Sequence, residues 1–283
     1  MTILPWQSKL RMMFHGDLRA ADHVLEFGDV THVMGVINLS PESKNMHTVA
    51  ATPDQALDLA RQYRKWGADL IDVGGQSSHY DNPTIAAEEE LERVVPAIEA
   101  LAADGFVVAV DTWKPVVAEA ALGAGAAVVN DTGGFKSEEM RKVVDAAEAA
   151  VIAVHIEGED PHAVDEIEIT DRKAEQIACY FRQLLAGLDV DTRQRVIVDP
   201  GIAINYRGDY AAYTQLQLEV IRTSAVFGPL DRPLCIPIPR KPDTAWVAAY
   251  VTMALEYGAD IIRVHDVDLA GNLTRLWQRQ TGR

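Results

Sequence analysis

Residues 67–75 read Gly67-Ala-Asp-Leu-Ile-Asp-Val-Gly-Gly75, a short apolar run entered through a Gly-Ala pair and left through glycine. The phrase returns at Gly258-Ala-Asp-Ile-Ile-Arg-Val-His-Asp266, and Gly125-Ala126 opens a third run ending in Val129-Asn-Asp131. Apolar runs without alternation belong to strands covered on both faces, as in a parallel sheet. Glycine just before each run suits a left-handed helix end; at the third junction Gly123 competes for that place. Outward from these three, further runs complete a set of eight: Val33–Asn38, Asp69–Gly74, Phe106–Asp111, Ala127–Asn130, Val151–His155, Val196–Asp199, Leu234–Ile238 and Asp260–His265. Amphipathic, Ala-rich segments lie between them. Gln55–Trp66 follows a Thr52-Pro53 start, and Ala86–Ala103, Pro115–Leu122, Ser137–Ala149, Thr170–Leu188, Tyr210–Thr223, Asp243–Tyr257 and Leu269–Arg279 follow in turn.

Eight strand–helix units in about 250 residues predict an α/β fold, a closed (β/α)8 TIM barrel. An open doubly wound sheet would place a glycine-rich turn after its first strand, and Asn38-Leu-Ser-Pro41 is not one. The barrel is assigned to residues 31–283 as a single domain. Residues 1–30 form an N-terminal extension, with a hairpin over His23–His32 expected on the barrel floor.

Composition narrows the chemistry. The chain has 283 residues, 48% of them hydrophobic and 24% charged, which excludes global disorder. Its 42 acidic residues against 26 basic ones give −16, a balance that repels nucleic acid and anionic lipid. Any anionic small molecule must therefore meet cations gathered in one place. Cys179 and Cys235 form neither a disulfide scaffold nor a C-x-x-C pair. The first residues are broken by Gln7, Lys9, Arg11 and His15, unlike a secretory signal, and no run approaches membrane-spanning length. The expectation is a soluble cytoplasmic protein.

Polar residues fall at the ends of the runs: Asn38; Asp72 with Gln76; Asp111; Asn130 with Asp131; His155; Asp199; Arg240 with Lys241; Arg263 with His265 and Asp266. Singly, each Asp or Asn reads equally well as a helix cap or turn. At one end of nearly every strand they mark the face where barrel sites are built. Asp111, Asn130 and Asp199 suit a flat heterocycle with a guanidine-like donor edge, because a carboxylate accepts two parallel N–H bonds. Lys241, Arg263 and His265 form a cationic cluster suited to phosphate or pyrophosphate, or to ion pairs with Asp111, Asp199 or Asp266. Zinc fits poorly, since His155 and His265 lie on distant strands without H-x-H or H-E-x-x-H.

Met34-Gly-Val-Ile-Asn-Leu-Ser-Pro41, residues 67–75, Glu88-Glu-Glu-Leu-Glu-Arg-Val-Val-Pro96, Val110-Asp-Thr112, Val129-Asn-Asp131, Asp199-Pro-Gly201, Arg240-Lys241 and residues 258–266 together resemble the dihydropteroate synthase family, in its order, over roughly residues 30–267. The resemblance implies condensation of 6-hydroxymethyl-dihydropterin pyrophosphate with 4-aminobenzoate. It implies that Asp111, Asn130 and Asp199 hold the pterin donor edge, that Lys241 reaches the ring carbonyl, and that Arg263 covers the ring face. Arg263, His265 and Asn38 would bind pyrophosphate, with Mg²⁺ near Asn38 through that group. Asn38, Lys241, Arg263 and His265 are the implied catalytic set, and a homodimer the implied assembly.

Departures cluster in the loops. The family's T-P-D-S-F-S-D-G is Ser40-Pro41-Glu42-Ser43-Lys44-Asn45 here, and G-G-E-S-T-R-P is Gly74-Gly75-Gln76-Ser77-Ser78-His79-Tyr80. Ile202-Ala-Ile204-Asn-Tyr206 replaces a Phe-bearing stretch, Pro239 and Pro242 flank Arg240-Lys241, and M-H-M-x-G is Val154-His155-Ile156-Glu157-Gly158. Glu42, Gln76, His79, Tyr80, His155 and Ile204 are therefore the acceptor-side candidates. Three readings stay open: a dihydropteroate synthase-like transferase using 4-aminobenzoate or a related amine; a reduced-folate-dependent methyl or methylene transferase with another acceptor; and a non-catalytic pterin or folate binder.

Overall fold

Eight apolar runs become parallel strands in a computed structural model that describes residues 13–43, 46–241 and 243–281. They are β3 (His32–Asn38), β4 (Leu70–Gly74), β5 (Val107–Asp111), β6 (Val128–Asp131), β7 (Ala150–Val154), β8 (Val196–Asp199), β9 (Cys235–Pro237) and β10 (Ile261–Val264). The order β8-β7-β6-β5-β4-β3-β10-β9 closes on itself where Val198 N–H donates to the Pro233 carbonyl at 2.9 Å and Val198 bridges Leu234. The strands thus form an eight-membered ring whose last seam, between β8 and β9, is closed by that bridge.

Outside the ring lie α1 (Pro53–Trp66), α2 (Ala87–Ala103), α3 (Pro115–Gly123), α4 (Glu138–Ala146), α5 (Lys173–Ala186), α6 (Val190–Gln194), α7 (Tyr210–Arg222), α8 (Thr244–Glu256) and α9 (Val267–Thr281). α1 starts as its sequence dictates: Thr52 Oγ1 accepts from Gln55 N–H and Pro53 opens the helix. Gly67, Gly125 and Gly258 all have left-handed φ (102°, 106° and 80°), so Gly125 takes that position at the third junction and Gly123 is the last residue of α3. α4 and α5 are shorter than their patterns, and α6 and a 3₁₀ turn at Ser224–Leu230 carry no periodic signal long enough to read.

The floor hairpin exists but lies earlier than His23–His32. β1 (Gly16–Ala20) pairs antiparallel with β2 (His23–Phe27) across Ala21-Asp22. Its turn places Ala21 at φ 51°, without the Gly or Asn that normally advertises such a turn. Leu18, Ala20, Leu25 and Phe27 then plug the bottom of the ring against the barrel-interior cluster that includes Met34, Leu70, Ala109, Val128, Ile152, Ile197 and Ile261. Residues 1–12 of the extension, Lys44 and Asn45 of the first loop, and Pro242 lie outside the described residues.

Strand alternation builds the site. Leu70, Ala109, Val128, Ile197 and Ile261 face the barrel interior, so the residues two positions on, Asp72, Asp111, Asn130, Asp199 and Arg263, face inward one layer higher. The intervening residues Ile71, Val110, Val129, Val198 and Ile262 pack outward against the helices. Complete burial of such side chains stabilises by about 1.5–3 kcal/mol each. The chain therefore cannot slip register without sending the polar layer into that apolar shell.

Candidate active site

From this layer Asp111 and Arg263 line a cavity of about 460 Å³ at the C-terminal ends of the strands, while Asp72, Asn130 and Asp199 are buried and do not line it. Arg263 is the centre of the layer. Its Nε donates to Asp72 Oδ2 at 2.7 Å and its Nη2 to Asp111 Oδ2 at 2.6 Å, a guanidinium strapped between β4 and β5. Burial would strip the proton from Arg263, but the two carboxylates and Asp199 outweigh it and hold its pKa above the ordinary value. Thr132 Oγ1 donates to the other oxygen of Asp111 at 3.4 Å. Burial pushes the Asp111 carboxyl upward; Arg263 opposes this while Asp72 adds to it.

Asn130 is oriented by Asp72. Its Nδ2 donates to Asp72 at 3.3 and 3.5 Å, and a carboxylate can only accept. Asn130 Oδ1 is thereby turned away, buried and without a hydrogen-bond partner among the described residues. Asp199, on β8, accepts from Gly201 N–H at 2.7 Å, and its burial raises its carboxyl to about 7, with the Gly201 bond and Arg263 working the other way. The floor is thus a set of hydrogen-bond acceptors backed by one shared cation.

Lys241, Arg263 and His265 all line this cavity, but each is held differently. Lys241 is turned toward α7, where its Nζ donates to Thr214 Oγ1 at 3.1 Å and Gln217 Oε1 at 2.9 Å between the rings of Tyr210 and Tyr250. Ion pairing with the carboxylates holds for Arg263 and not for Lys241. His265 lines the cavity, but burial, with Arg263, His47 and Arg240 nearby, lowers its pKa to about 3. Burial therefore favours its neutral imidazole form. His265 also lines, with His47 and Arg240, an adjoining cavity of about 150 Å³. Asn38 reaches the main cavity with its Nδ2 held on Thr48 Oγ1 at 2.6 Å.

Four acceptor-side candidates, Gln76, His79, Tyr80 and Ile204, line the cavity. Two do not. Glu42 accepts from Arg93 at 3.2 Å, an ion pair that fastens the first loop to α2. His155 points outward into the helical layer, packed on Tyr180 and Phe181 with centroids 5.1 and 6.4 Å away, and burial lowers its pKa to about 4. It sits one residue past β7, where alternation turns the side chain away from the barrel. The turn and cap readings hold for Asp131, which accepts from Gly133 and Phe135 N–H, and for Asp266, which caps α9 through Leu269 N–H.

Several site residues escape a reading of the sequence. Asp72 reads as a strand end but not as the partner of Arg263, because the two are 191 positions apart. Lys114, three residues past β5, reaches Gln76 Oε1 at 2.6 Å and Glu90 Oε2 at 2.8 Å; its place after Asp111 is an available signal. Gln217 and Thr214 carry none, being polar positions inside a helical pattern. Tyr206, Tyr210 and Tyr213 line the wall after β8. No group of three or more His, Cys, Asp or Glu side chains converges as a metal cage among the described residues. None of the described helices is long and apolar enough to cross a membrane.

A family model described as pterin binding enzyme matches residues 34–265. Over 267 residues the chain is 32% identical to the probable bifunctional folylpolyglutamate synthase/dihydropteroate synthase of Haloferax volcanii, an overlap of 89% of this chain and 31% of that one. It is 29% identical over 279 residues to the dihydropteroate synthase of Synechocystis sp., covering 93% of this chain and 94% of that one. The chain spans between 30% and 56% of the length of the bifunctional relatives from Haloferax, Halobacterium and Arabidopsis. Among solved structures, Burkholderia cenocepacia dihydropteroate synthase complexed with 7,8-dihydropteroate superposes with a TM-score of 0.77 at 26% identity, covering 96% of this chain and 98% of that one.

Proposed function

This chain belongs to the pterin binding enzyme family, and on that premise we propose that it is a transferase joining 6-hydroxymethyl-7,8-dihydropterin, activated as its pyrophosphate ester, to 4-aminobenzoate or a related arylamine. The observation that carries the reading is the acceptor floor. Asn130 Oδ1, turned away from Asp72 and without a hydrogen-bond partner among the described residues, and the carboxylates of Asp111 and Asp199 would meet the three-donor amino and ring N–H edge of a pterin. Each charge-assisted bond contributes about 1.5–3 kcal/mol, more than a neutral one. The Arg263 guanidinium, planar and held from behind, supplies a flat cationic surface beside the ring. Lys241 lines the same cavity from beyond β9, the strand next to that of Arg263, and releasing Thr214 and Gln217 would let its Nζ reach the ring carbonyl.

In the reaction the C–O bond of the ester breaks and pyrophosphate leaves with the electron pair. The arylamine nitrogen then donates its lone pair to the same carbon and loses a proton. Positioning and fixed charge provide most of such a rate enhancement. Asn38, His265 and Arg240 line the end of the cavity suited to the leaving group. Asn38, with its nitrogen occupied by Thr48, offers one carboxamide oxygen. This suits Mg²⁺, which commonly takes most of its ligands from phosphate and water, and the bound ion would neutralise charge on pyrophosphate. Ile204, Tyr206, Tyr210 and Tyr213, all after β8, provide the apolar and aromatic wall for an arylamine.

The same reading carries a homodimer in the cytoplasm. Trp246 on α8 and Leu276 on α9 are about half exposed, on helices packed side by side, and sedimentation analysis at micromolar concentration tests the dimer. The activity is tested by mixing the protein with the pyrophosphate ester and 4-aminobenzoate and following pyrophosphate and dihydropteroate. Absence of both products, with no rescue of a synthase-deficient strain, overturns the proposal. Tighter binding of methyl-tetrahydrofolate than of the ester would point instead to one-carbon transfer.

A further inference from the structure

Gln76 carries an amide whose orientation is decided by its neighbour. Lys114 Nζ has three N–H groups and no acceptor capacity. They go to Gln76 Oε1 at 2.6 Å, the Ile85 carbonyl at 2.7 Å and Glu90 Oε2 at 2.8 Å. Only the oxygen of Gln76 can face such a group, so the amide nitrogen faces the other way. Gln76 is 6% exposed, and Nε2 is buried with no hydrogen-bond partner among the described residues. A buried donor left unmade costs about 1–3 kcal/mol, and this one belongs to a residue in the wall of the main cavity.

Its place in the ring says what it would meet. Asn38, Gly74 and Asp111 stand side by side in register on β3, β4 and β5, and Gln76 follows Gly74 by two residues. Arg263 and His265 come from β10 and the residue after it, next to β3. The aromatic wall follows β8, four strands from β4 in either direction around the closed ring. Gln76 therefore stands on the leaving-group side of the mouth, across from the arylamine wall.

We propose that Gln76 is a specificity-determining residue for the leaving group, donating Nε2–H to an anionic oxygen of the pyrophosphate ester. This rests on the pterin-transferase reading above and assigns Gln76 to the leaving-group side, away from the acceptor. Lys114 and Glu90 act through it, as positioning residues that keep the donor end inward.

Calorimetric titration of 6-hydroxymethyl-dihydropterin, with and without its pyrophosphate, into wild type, Gln76→Met and Gln76→Glu tests the assignment. Gln76→Met removes the donor, and the ester should bind about tenfold more weakly. Gln76→Glu places a carboxylate there, which Lys114 can pair with, and the ester should weaken at least as much. The alcohol, which lacks the anion, should bind all three proteins within about twofold. Unchanged ester affinity in both variants, or an equal loss for ester and alcohol, overturns the assignment and leaves the pterin reading standing. Wild-type protein that binds neither ligand overturns both.

Discussion

Replacing Asp72 by Asn removes one charge from the centre of the site and changes almost no volume. Asp72 is fully buried, and its carboxylate takes Arg263 Nε at 2.7 Å and Asn130 Nδ2 at 3.3 Å. Breaking a buried pair by neutralising one partner costs about 3–5 kcal/mol, and the retained bond from Arg263 to Asp111 at 2.6 Å places this case at the lower end, about 3 kcal/mol. A second effect concerns the ligand. Arg263 can only donate, so the substituted side chain turns its amide oxygen to Nε, in the place of Oδ2, which also takes the shorter Asn130 bond. Its nitrogen takes the place of Oδ1 and faces Asn130 Nδ2 at the longer contact. Asn130 then keeps one neutral bond in place of a charged acceptor, and its oxygen is held less firmly for the pterin edge. A loss of about 0.5–1.5 kcal/mol lowers pterin affinity about 2- to 12-fold. Urea unfolding at pH 7 measures the first effect and calorimetric titration with a dihydropterin measures the second. An Asp72→Asn protein within about 0.5 kcal/mol of wild type, or one with unchanged pterin affinity, would refute the view that Asp72 orients the floor.

Burial raises the Asp199 carboxyl to about 7 from an ordinary value near 4. The folded state therefore holds more protons than the unfolded one between those values, and this group makes stability fall as pH rises through that window. A pterin donor edge favours the ionised form, so pterin binding near pH 7 should release protons, measured as a dependence of binding enthalpy on buffer ionisation; Asp199→Asn should abolish the release and weaken binding. His155→Phe should leave turnover and acceptor KM within about twofold, since the ring packs on Tyr180 and Phe181. With its pKa lowered to about 4, His155 favours the folded state above its unfolded value near 6.5 and loses that contribution as pH falls toward 4. The Phe variant should consequently lose less stability between pH 7 and pH 5 than wild type. Gly35→Ala puts a Cβ 2.7 Å from Tyr63 Cδ2 and 2.9 Å from Val267 Cγ2, between α1, α9 and β3. Overpacking of that kind costs about 1–3 kcal/mol, visible as a lower melting temperature.

The sequence by itself determined the barrel, because its evidence is local and repeated. The unbroken apolar runs, the Gly-Ala junctions and the polar residue at each run's end follow from backbone geometry within a few residues. The same local logic singled out Asp111, Asn130, Asp199 and Arg263 as polar groups at the ends of the runs. Pairing was beyond its reach. Asp72 meets Arg263 across 191 positions, Lys241 turns from the carboxylates to Thr214 and Gln217, and His155 faces the helices from one residue past its strand. Sequence spacing carries no record of which ends of two amides face outward. Only the folded ring decides that, by setting Asn130 against an acceptor and Gln76 against a donor, so that one offers oxygen and the other N–H.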